Sequence, residues 1–480
     1  MTRLNMKAAR WFCITVILLL CLMTIAQAQV TTHTGKLPDG ATYLIEVPTN
    51  NWNGTLFLYS HGYVTPGSPN PAHDVGDPLT RAFMLANGYA LAGSSYATTG
   101  WAIHEALPDQ IAVLDQFKSL VGSPKRTVAW GHSLGGIITA GLIQRYPERF
   151  DAALPMCGVL SGGVATWNTA LDGAFAFKTL LAPNSPVPLQ LVDITNPSAN
   201  LGLSEQLLSV AQQTPAGRAR IALGAAFSDL PGWFDPLSPE PASTDFARQE
   251  ANQFLWDQQV DFPFAFALRA ELEFRAGGNV SWNAGVDYRK QLHRSANRKE
   301  VEALYEEAGL DLNADLDTLN DAMRLTPITA NRKSVEYLEQ NIIFNGQIRI
   351  PVLSLHTTGD GLVVVENESA YRDVVDEAGN QPFLRQKFVS RAGHCTFTPA
   401  ETVTAVQNLI RRLDAGRWPQ LDDDVLNAEA AALGSLNVVP PAFVDFHPAP
   451  YLRPFDALDE CGFLSEDRQC RDRFDFFRDR

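Results

Sequence analysis

The sequence has little cysteine, a low proportion of charged residues and few long apolar runs. Cysteine accounts for 6 of its 480 residues, and charged residues for 19 %. Beyond the first thirty residues no stretch is long and uncharged enough to cross a bilayer, which argues against a polytopic membrane protein. Lys and Arg number 38 against 53 Asp and Glu, giving a formal net charge of −15. Because this acidity repels phosphate backbones, we expect no general binding of nucleic acid.

Hydrophobic residues, by contrast, make up 45 % of the chain, enough to bury a large core. Neither internal repeats nor long low-complexity runs interrupt the sequence. A chain of this length is large for a single compact unit. The sequence therefore predicts one domain with a major insertion, or two domains.

The N-terminus has the three parts of a secretory signal peptide. Arg3, Lys7 and Arg10 precede a fourteen-residue apolar run, Phe12–Ile25, and an Ala-Gln-Ala tripeptide follows it. The run is too short to span a bilayer comfortably. We therefore expect residues 1–28 to be cleaved and the mature protein to be secreted or periplasmic, without stable membrane insertion. Losing these three positive charges takes the net charge from −15 to −18.

Four cysteines remain in the mature chain: Cys157, Cys395, Cys461 and Cys470. An even number in an oxidising compartment predicts two disulfides, with three possible pairings. Cys461 and Cys470 lie close together in a tail with little else to hold it, which favours that pair together with Cys157–Cys395. Four buried thiols and a zinc site are the alternatives, although no two of these cysteines have C-x-x-C spacing.

Short runs rich in β-branched and aromatic residues alternate with helical patterns up to residue 160 and again from residue 347. The candidate strands are Ala41–Val47, Thr55–Ser60, Tyr89–Gly93, Arg126–Trp130, Ala152–Met156, Ile350–His356 and Leu384–Ser390. The candidate helices are Asp77–Ala86, Ala102–Leu120 and Gly135–Arg145. This alternation predicts an α/β fold with a mostly parallel sheet flanked by helices.

Residues 161–346 break the alternation and have mostly helical patterns. The helices predicted with definite bounds in this segment are Arg298–Ala308 and Asp315–Arg324. Because strands resume afterwards, we expect a helical cap inserted into one catalytic core, which comprises residues 29–160 and 347–416. Residues 417–480 are rich in Pro and Asp, and we expect an ordered C-terminal tail packed on the core.

The strongest chemical signal is a G-x-S-x-G motif formed by Gly131, Ser133 and Gly135. The motif lies between a candidate strand and a candidate helix. Glycine at the two outer positions permits the tight turn that exposes the serine Oγ above a sheet. The following helix directs its positive end at that oxygen. The motif therefore predicts a nucleophilic serine at position 133.

In this motif the chain resembles the α/β-hydrolase family, over most of residues 40–160 and 347–416. The family has an acid after the strand that follows the cap and a histidine after the last strand, and this sequence has Asp360 and His394 at those places. The resemblance implies a catalytic triad of Ser133, Asp360 and His394. His394 would accept the serine proton and later deliver it to the leaving group, while Asp360 would orient the imidazole.

The resemblance also implies an oxyanion hole formed by the backbone amides of Tyr63 and Leu134. Tyr63 follows His61-Gly at the end of a candidate strand, and Leu134 directly follows the serine. We expect His61 to shape this loop without transferring protons. The nearest substitutes for the acid and the histidine of the triad are Asp376 and His447, but His447 does not follow a strand-end glycine.

Cys395 directly follows His394, a feature similar to the tannase and fungal-type feruloyl esterase group. In that group this cysteine is disulfide-bonded to a cysteine that precedes the nucleophilic serine. A Cys157–Cys395 bridge would, by that likeness, fix the histidine loop. Position 132 is histidine here, so the likeness does not extend to phenolic-ester specificity.

We therefore expect a secreted serine hydrolase that cleaves carboxylic esters through an acyl-enzyme on Ser133. Its substrate would be a small-molecule or polymer ester, and no metal or organic cofactor is implied. The alternative is a secreted exopeptidase of the tripeptidyl or prolyl aminopeptidase type, which needs cap acids to bind a substrate amine. The cap acids available are Glu300, Glu302, Glu306 and Glu307, which fit an exposed helix face equally well. A non-catalytic binding protein is disfavoured by the complete triad.

The cap is also rich in aromatic residues, which are candidates either for an apolar pocket over Ser133 or for the cap's own core. They include Trp167, Trp233, Phe234, Trp256, Phe262, Phe264, Phe266 and Trp282.

Overall fold

The computed structural model describes residues 29–455 except 184 and 186. Its strands are β1 Val30–Lys36, β2 Thr42–Pro48, β3 Thr55–Ser60, β4 Ala90–Ser94, β5 Arg126–His132, β6 Ala152–Met156, β7 Val352–Gly359, β8 Leu384–Ala392 and β9 Phe443–Val444. They form one sheet in the order β1-β2-β4-β3-β5-β6-β7-β8-β9. The β1–β2, β2–β4 and β8–β9 pairs are antiparallel and the others parallel. The predicted mostly parallel sheet is thereby confirmed.

Helices α1 Pro78–Ala86, α2 Ile103–Leu120 and α3 Leu134–Arg145 connect the strands up to β6. Further helices follow β7, and others lie between β6 and β7. The latter are α4 Gly163–Leu181, α5 Pro197–Ala211, α6 Pro215–Phe227, α7 Phe246–Trp256, α8 Arg269–Ala276, α9 Tyr288–Arg294, α10 Arg298–Ala308, α11 Leu312–Leu325 and α12 Arg332–Asn341. The last three are α13 Asn367–Glu377, α14 Pro399–Ala415 and α15 Asp423–Ala431. No helix in the described part of the chain is both long and apolar enough to cross a membrane.

Helices cover both faces of the sheet. Apolar side chains of α2, α3 and α13 pack on one face, and those of α1, α14 and α15 pack on the other. Helix α3 is buried along its first ten residues, Leu134–Ile143. It also approaches the end of β6 closely, since a Cβ built on Gly136 would lie 2.4 Å from Cα of Gly158. Burial of α3 therefore fixes its N-terminus, and Ser133 with it, against the sheet.

The segment between β6 and β7 is helical and has a hydrophobic core of its own. Besides α4 to α12 it contains two π-helical segments, Asp257–Asp261 and Phe264–Leu268. Buried side chains of α4, α6, α9 and α10 meet in this second core, among them Phe177, Leu223 and Tyr288. Of the two helices predicted here, one coincides with α10 and the other lies inside α11.

The C-terminal segment contacts both the core and the cap. Leu426 and Phe443 pack against the face of the sheet that α14 covers. Further along, Arg453 forms an ion pair with the buried Asp172 of the cap at 2.5 Å. The C-terminal segment thus contacts the cap as well as the core.

The expected Cys461–Cys470 pair and the predicted signal peptide lie outside the described residues.

Candidate active site

Ser133 occupies a strained turn between β5 and α3. Its backbone angles are φ 59° and ψ −125°, a conformation that L-residues rarely adopt. The flanking glycines leave room for the turn: a Cβ at Gly131 would lie 2.5 Å from the carbonyl oxygen of Ser60, and one at Gly135 only 1.9 Å from it. The G-x-S-x-G motif therefore forms the sharp strand-to-helix turn that its sequence predicts.

Two backbone amides predicted as oxyanion donors flank this serine. Leu134 is the first residue of α3, so its N–H has no acceptor within the helix. On the other side, a Cβ built on Gly62 would lie 3.7 Å from Oγ of Ser133, which places the Gly62–Tyr63 peptide against the serine side chain. Tyr63 and Leu134 both line the cavity that Ser133 faces. Both residues therefore lie beside the serine, where the sequence predicts the oxyanion donors.

Asp360 and His394 are joined by a short hydrogen bond. Nδ1 of His394 donates to Oδ2 of Asp360 over 2.8 Å, and the other carboxylate oxygen accepts from the amides of Leu362 and Val363. Asp360 is 1 % exposed. Because the carboxylate occupies Nδ1–H, the lone pair of His394 lies on Nε2, where a general base needs it. Oγ of Ser133 makes no hydrogen bond to His394 in this structure, and such contacts often tighten only when substrate binds.

The disulfide Cys157–Cys395 is present and confirms the favoured pairing of these two residues. It connects the loop of His394 to the end of β6, where the carbonyl of Met156 accepts the N–H of Ser133 at 3.0 Å. Nε2 of His394 lies 3.3 Å from Sγ of Cys395. The bonded sulfur has no hydrogen to donate and accepts only weakly, so it leaves Nε2 available. Because both sulfurs are bonded to each other, this Cys-His-Cys group offers no thiolate to a metal.

Behind Asp360 lies a buried ion pair that the sequence analysis did not identify. Nδ1 of His356 is 3.2 Å from a carboxylate oxygen of Glu368, and its Nε2 donates to the carbonyl of Val363 at 2.7 Å. Burial lowers the pKa of His356, but the hydrogen bond and charge of Glu368 outweigh that effect, so the pKa is raised. Its Nε2 also lies 3.7 Å from Oδ2 of Asp360. His356 lies in β7 and Asp360 directly follows it, four residues further on. Side chains an even number of residues apart in a strand lie on the same face, and this spacing is the one sequence signal for the contact.

The histidine inside the motif, His132, is a neutral neighbour of the site. Its Nδ1 lies 3.1 Å from the hydroxyl of Tyr59. Desolvation, together with the charge of His394, lowers the pKa of His132 to about 4. His61 stacks on Tyr96, and its ring nitrogens face the carbonyls of Gly62 and Ser95. These contacts hold His61 in the loop after β3, the loop that the sequence predicts it to shape.

The cavity in front of Ser133 lies between the sheet and the cap and is mainly apolar. Of the eight cap aromatics named from the sequence, four line it: Trp167, Phe262, Phe264 and Phe266. The other four do not line it: Trp233, Phe234, Trp256 and Trp282. The aromatic residues of the cap therefore contribute both to the cavity wall and to packing within the cap. Tyr451, from the C-terminal segment, also contributes to the wall.

The four cap glutamates considered for amine binding do not line this cavity. Glu300 is buried and accepts a hydrogen bond from Gln253, while Glu302 pairs with Arg298 on the surface. Glu306 and Glu307 are exposed. The acids that do face the cavity are Asp257 and Asp261 of the first π-helical segment, which no sequence motif distinguishes.

The sheet, the helical cap and the strand–serine–helix turn define a serine hydrolase of the α/β-hydrolase type. Residues 94–179 match the model of the prolyl oligopeptidase family, Peptidase_S9. Over 436 residues the chain is 30 % identical to o-phthalyl amidase of Xanthobacter agilis, covering 84 % of this chain and 91 % of the relative. The chain belongs to the family of this amidase.

Solved structures similar to this one include esterases and a peptidase. Feruloyl esterase B from Aspergillus oryzae is 12 % identical, with a TM-score of 0.38 over 81 % of this chain and 80 % of that one. The cell wall degrading esterase LipA from Xanthomonas oryzae is 12 % identical, with a TM-score of 0.34 over 82 % and 93 %. The acylaminoacyl peptidase of Pyrococcus horikoshii is 9 % identical, with a TM-score of 0.40 over 85 % of this chain. This chain spans 45 % of that peptidase.

Proposed function

We propose that the protein hydrolyses carboxylic esters through an acyl-enzyme formed on Ser133. The observation that carries this proposal is the 2.8 Å bond between His394 and the buried Asp360, with Ser133 in the strained turn at the floor of an apolar cavity. A serine hydroxyl is a weak nucleophile at neutral pH, and an imidazole oriented by a carboxylate is the group that activates it.

In the proposed reaction Oγ of Ser133 attacks the ester carbonyl while Nε2 of His394 takes its proton. The resulting oxyanion accepts hydrogen bonds from the amides of Tyr63 and Leu134. Collapse of this intermediate breaks the bond to the alcohol, which leaves with the proton from His394. Water then attacks the acyl group, with His394 acting first as base and then as acid. This step releases the carboxylic acid and restores the hydroxyl of Ser133.

Amide hydrolysis is the second candidate function, and the similarity to o-phthalyl amidase over 84 % of the chain favours it. The same residues carry out both reactions, but an amide nitrogen leaves only when it is protonated, so the demand on His394 as acid is greater. An exopeptidase acting on free N-termini is one form of this second candidate.

We also propose that the protein acts outside the cytoplasm after removal of residues 1–28. The charge and apolar pattern of that segment supports export. The Cys157–Cys395 disulfide supports it independently, since such bonds persist in oxidising compartments. N-terminal sequencing of protein recovered from culture medium or periplasm tests this, and a mature chain that still begins at Met1 would contradict it.

Hydrolysis of matched substrates tests the reaction itself. Wild type, Ser133→Ala and the control Ser209→Ala, an exposed serine on α5, are assayed on p-nitrophenyl esters and p-nitroanilides with the same acyl groups. We expect ester cleavage by wild type and the control and its loss in Ser133→Ala. If the anilides are cleaved faster than the matched esters, amide hydrolysis replaces ester hydrolysis as the proposed function. Activity retained in Ser133→Ala would overturn both.

A further inference from the structure

Two acidic side chains of the cap open into the cavity in front of Ser133. Asp257 and Asp261 begin and end the first π-helical segment and both belong to the cavity wall. Asp257 is 9 % exposed, and Oδ2 of Asp261 is fully buried. Trp256, directly before the segment, packs against the loop of Asp360, because a Cβ at Gly361 would lie 2.3 Å from its ring, and Asp261 is close enough to Asp360 to interact with it electrostatically. These acids therefore lie beside the acid end of the candidate triad.

Neither acid has a cationic partner among the described residues. The charged neighbour of Asp257 is another acid, Glu250. Oδ2 of Asp261 has no hydrogen-bond partner in the described part of the chain, although its carboxylate accepts from its own backbone N–H. Arg220 is the one Lys, Arg or His that lines the cavity in the described structure. It is held by Asp315 through two bonds of 2.7 and 3.1 Å. No cation in the described structure therefore offsets the charge of the two acids, and Asp261 has only its own backbone N–H to favour ionisation.

The surroundings of the two acids oppose their ionisation. Burial raises the pKa of Asp257, and the nearby Glu250 raises it further. Burial likewise raises the pKa of Asp261, with additional contributions from Asp257 and Asp360. Buried polar groups in native proteins usually have partners, and their absence calls for a functional explanation. A cation bound between the two carboxylates would offset both the desolvation and the mutual repulsion.

We infer that Asp257 and Asp261 form the subsite for a protonated amine of the substrate. The inference rests on the proposed function, since it places the amine in the same cavity as the ester attacked by Ser133. The two carboxylates interact electrostatically and share the cavity wall, so both attract an ammonium group at this end of the cavity. The ring of Phe262, which follows Asp261 and lines the cavity, offers an apolar wall beside it. A substrate carboxylate would meet only like charge at this end. The substrate is thus an ester that carries a primary amine.

The subsite is tested with p-nitrophenyl esters whose acyl chains end in an ammonium, a methyl or a carboxylate group, over a series of chain lengths. The enzymes are wild type, Asp257→Asn, Asp261→Asn and the control Asp245→Asn, an exposed acid just before α7. At the best chain length, wild type should prefer ammonium over methyl in kcat/KM by about tenfold or more. Each cavity variant should lower that ratio about tenfold, as expected for losing a hydrogen bond to a charged group. The control should keep it.

Labelling of Ser133 by a fluorophosphonate in every variant shows that each is folded. Two results would overturn the subsite and leave the proposed function standing. One is cleavage of the methyl-terminated p-nitrophenyl esters with no preference for ammonium at any chain length. The other is an ammonium preference that both Asn variants keep unchanged. No cleavage of any ester and no labelling of wild type would instead overturn the proposed function, and the subsite with it.

Discussion

Oδ2 of Asp360 lies between two histidines, 2.8 Å from Nδ1 of His394 and 3.7 Å from Nε2 of His356. The other oxygen of Asp360 is held by two backbone amides, so the carboxylate has one orientation. His356 in turn is held by Glu368, which also accepts hydrogen bonds from Ser354 and Gln386 at 2.5 Å. The orientation of His394 thus depends on a buried polar network that extends to α13.

Removing the second histidine should impair turnover more than binding. We expect His356→Gln to lower kcat about tenfold with little change in KM, because His356 acts through Asp360 and has no place in the cavity wall. The active fraction is first titrated with a fluorophosphonate, and His447→Gln, an exposed histidine, is the control. An unchanged kcat per titrated site would show that His356 is merely structural.

Asp360→Asn tests the carboxylate itself. Asparagine fits the space but does not impose the same tautomer on His394 or stabilise its charged form, so kcat should fall by about 10³- to 10⁴-fold. Steady-state kinetics on the best ester measure this, with Asp376→Asn as the control for the alternative acid. If Asp376→Asn is the damaging substitution, the assignment of the acid is wrong.

The disulfide should stabilise the fold by bridging residues 238 apart in sequence. Double substitution Cys157→Ala with Cys395→Ala should cost about 2–5 kcal/mol of stability, because it frees a long loop in the unfolded chain. Thermal unfolding measures the loss. Peptide mapping without reduction should recover Cys157 linked to Cys395. A link from Cys157 to either C-terminal cysteine would contradict the structure.

Glu300 should make stability depend on pH. Burial raises its pKa to about 8, only partly offset by the hydrogen bond from Gln253. Between pH 4.5 and 8 the unfolded chain releases this proton and the folded chain keeps it. Stability therefore falls as pH rises, by at most about 1.4 kcal/mol per unit.

Glu300→Gln should remove that dependence, so its advantage over wild type should grow from pH 5 to pH 8 and then level off. Melting temperatures across this range measure the effect. Glu306→Gln, exposed on the same helix, should show no such trend. An advantage for Glu300→Gln that is constant with pH would show that the glutamate is ionised in the fold.

Sequence patterns predict the sheet and its flanking helices well because the signals for these elements are local. Every predicted strand is present. Ser133 follows the end of β5, Asp360 the end of β7 and His394 the end of β8, as the resemblance implies. The first and last strands, β1 and β9, were not predicted. β1 is an exposed edge strand without apolar runs, and β9 is two residues long, so neither has a strong period.

The cavity was less predictable, since its walls come from segments distant in sequence. Asp257 and Asp261 have the helical spacing of an ordinary exposed face, and only the fold turns them inward. Tyr451 enters the same wall from a segment expected to contact the core alone. Contacts of this kind depend on how the cap sits on the sheet, which no local pattern records.

Covalent labelling tests whether Ser133 is the nucleophile. Purified protein is treated with a fluorophosphonate, and intact mass and peptide mapping locate the adduct in wild type, Ser133→Ala and Ser209→Ala. If Ser133 is the nucleophile, wild type carries one adduct on Ser133, which Ser209→Ala keeps and Ser133→Ala loses. An adduct that persists in folded Ser133→Ala, or that maps to another residue in wild type, would contradict this role.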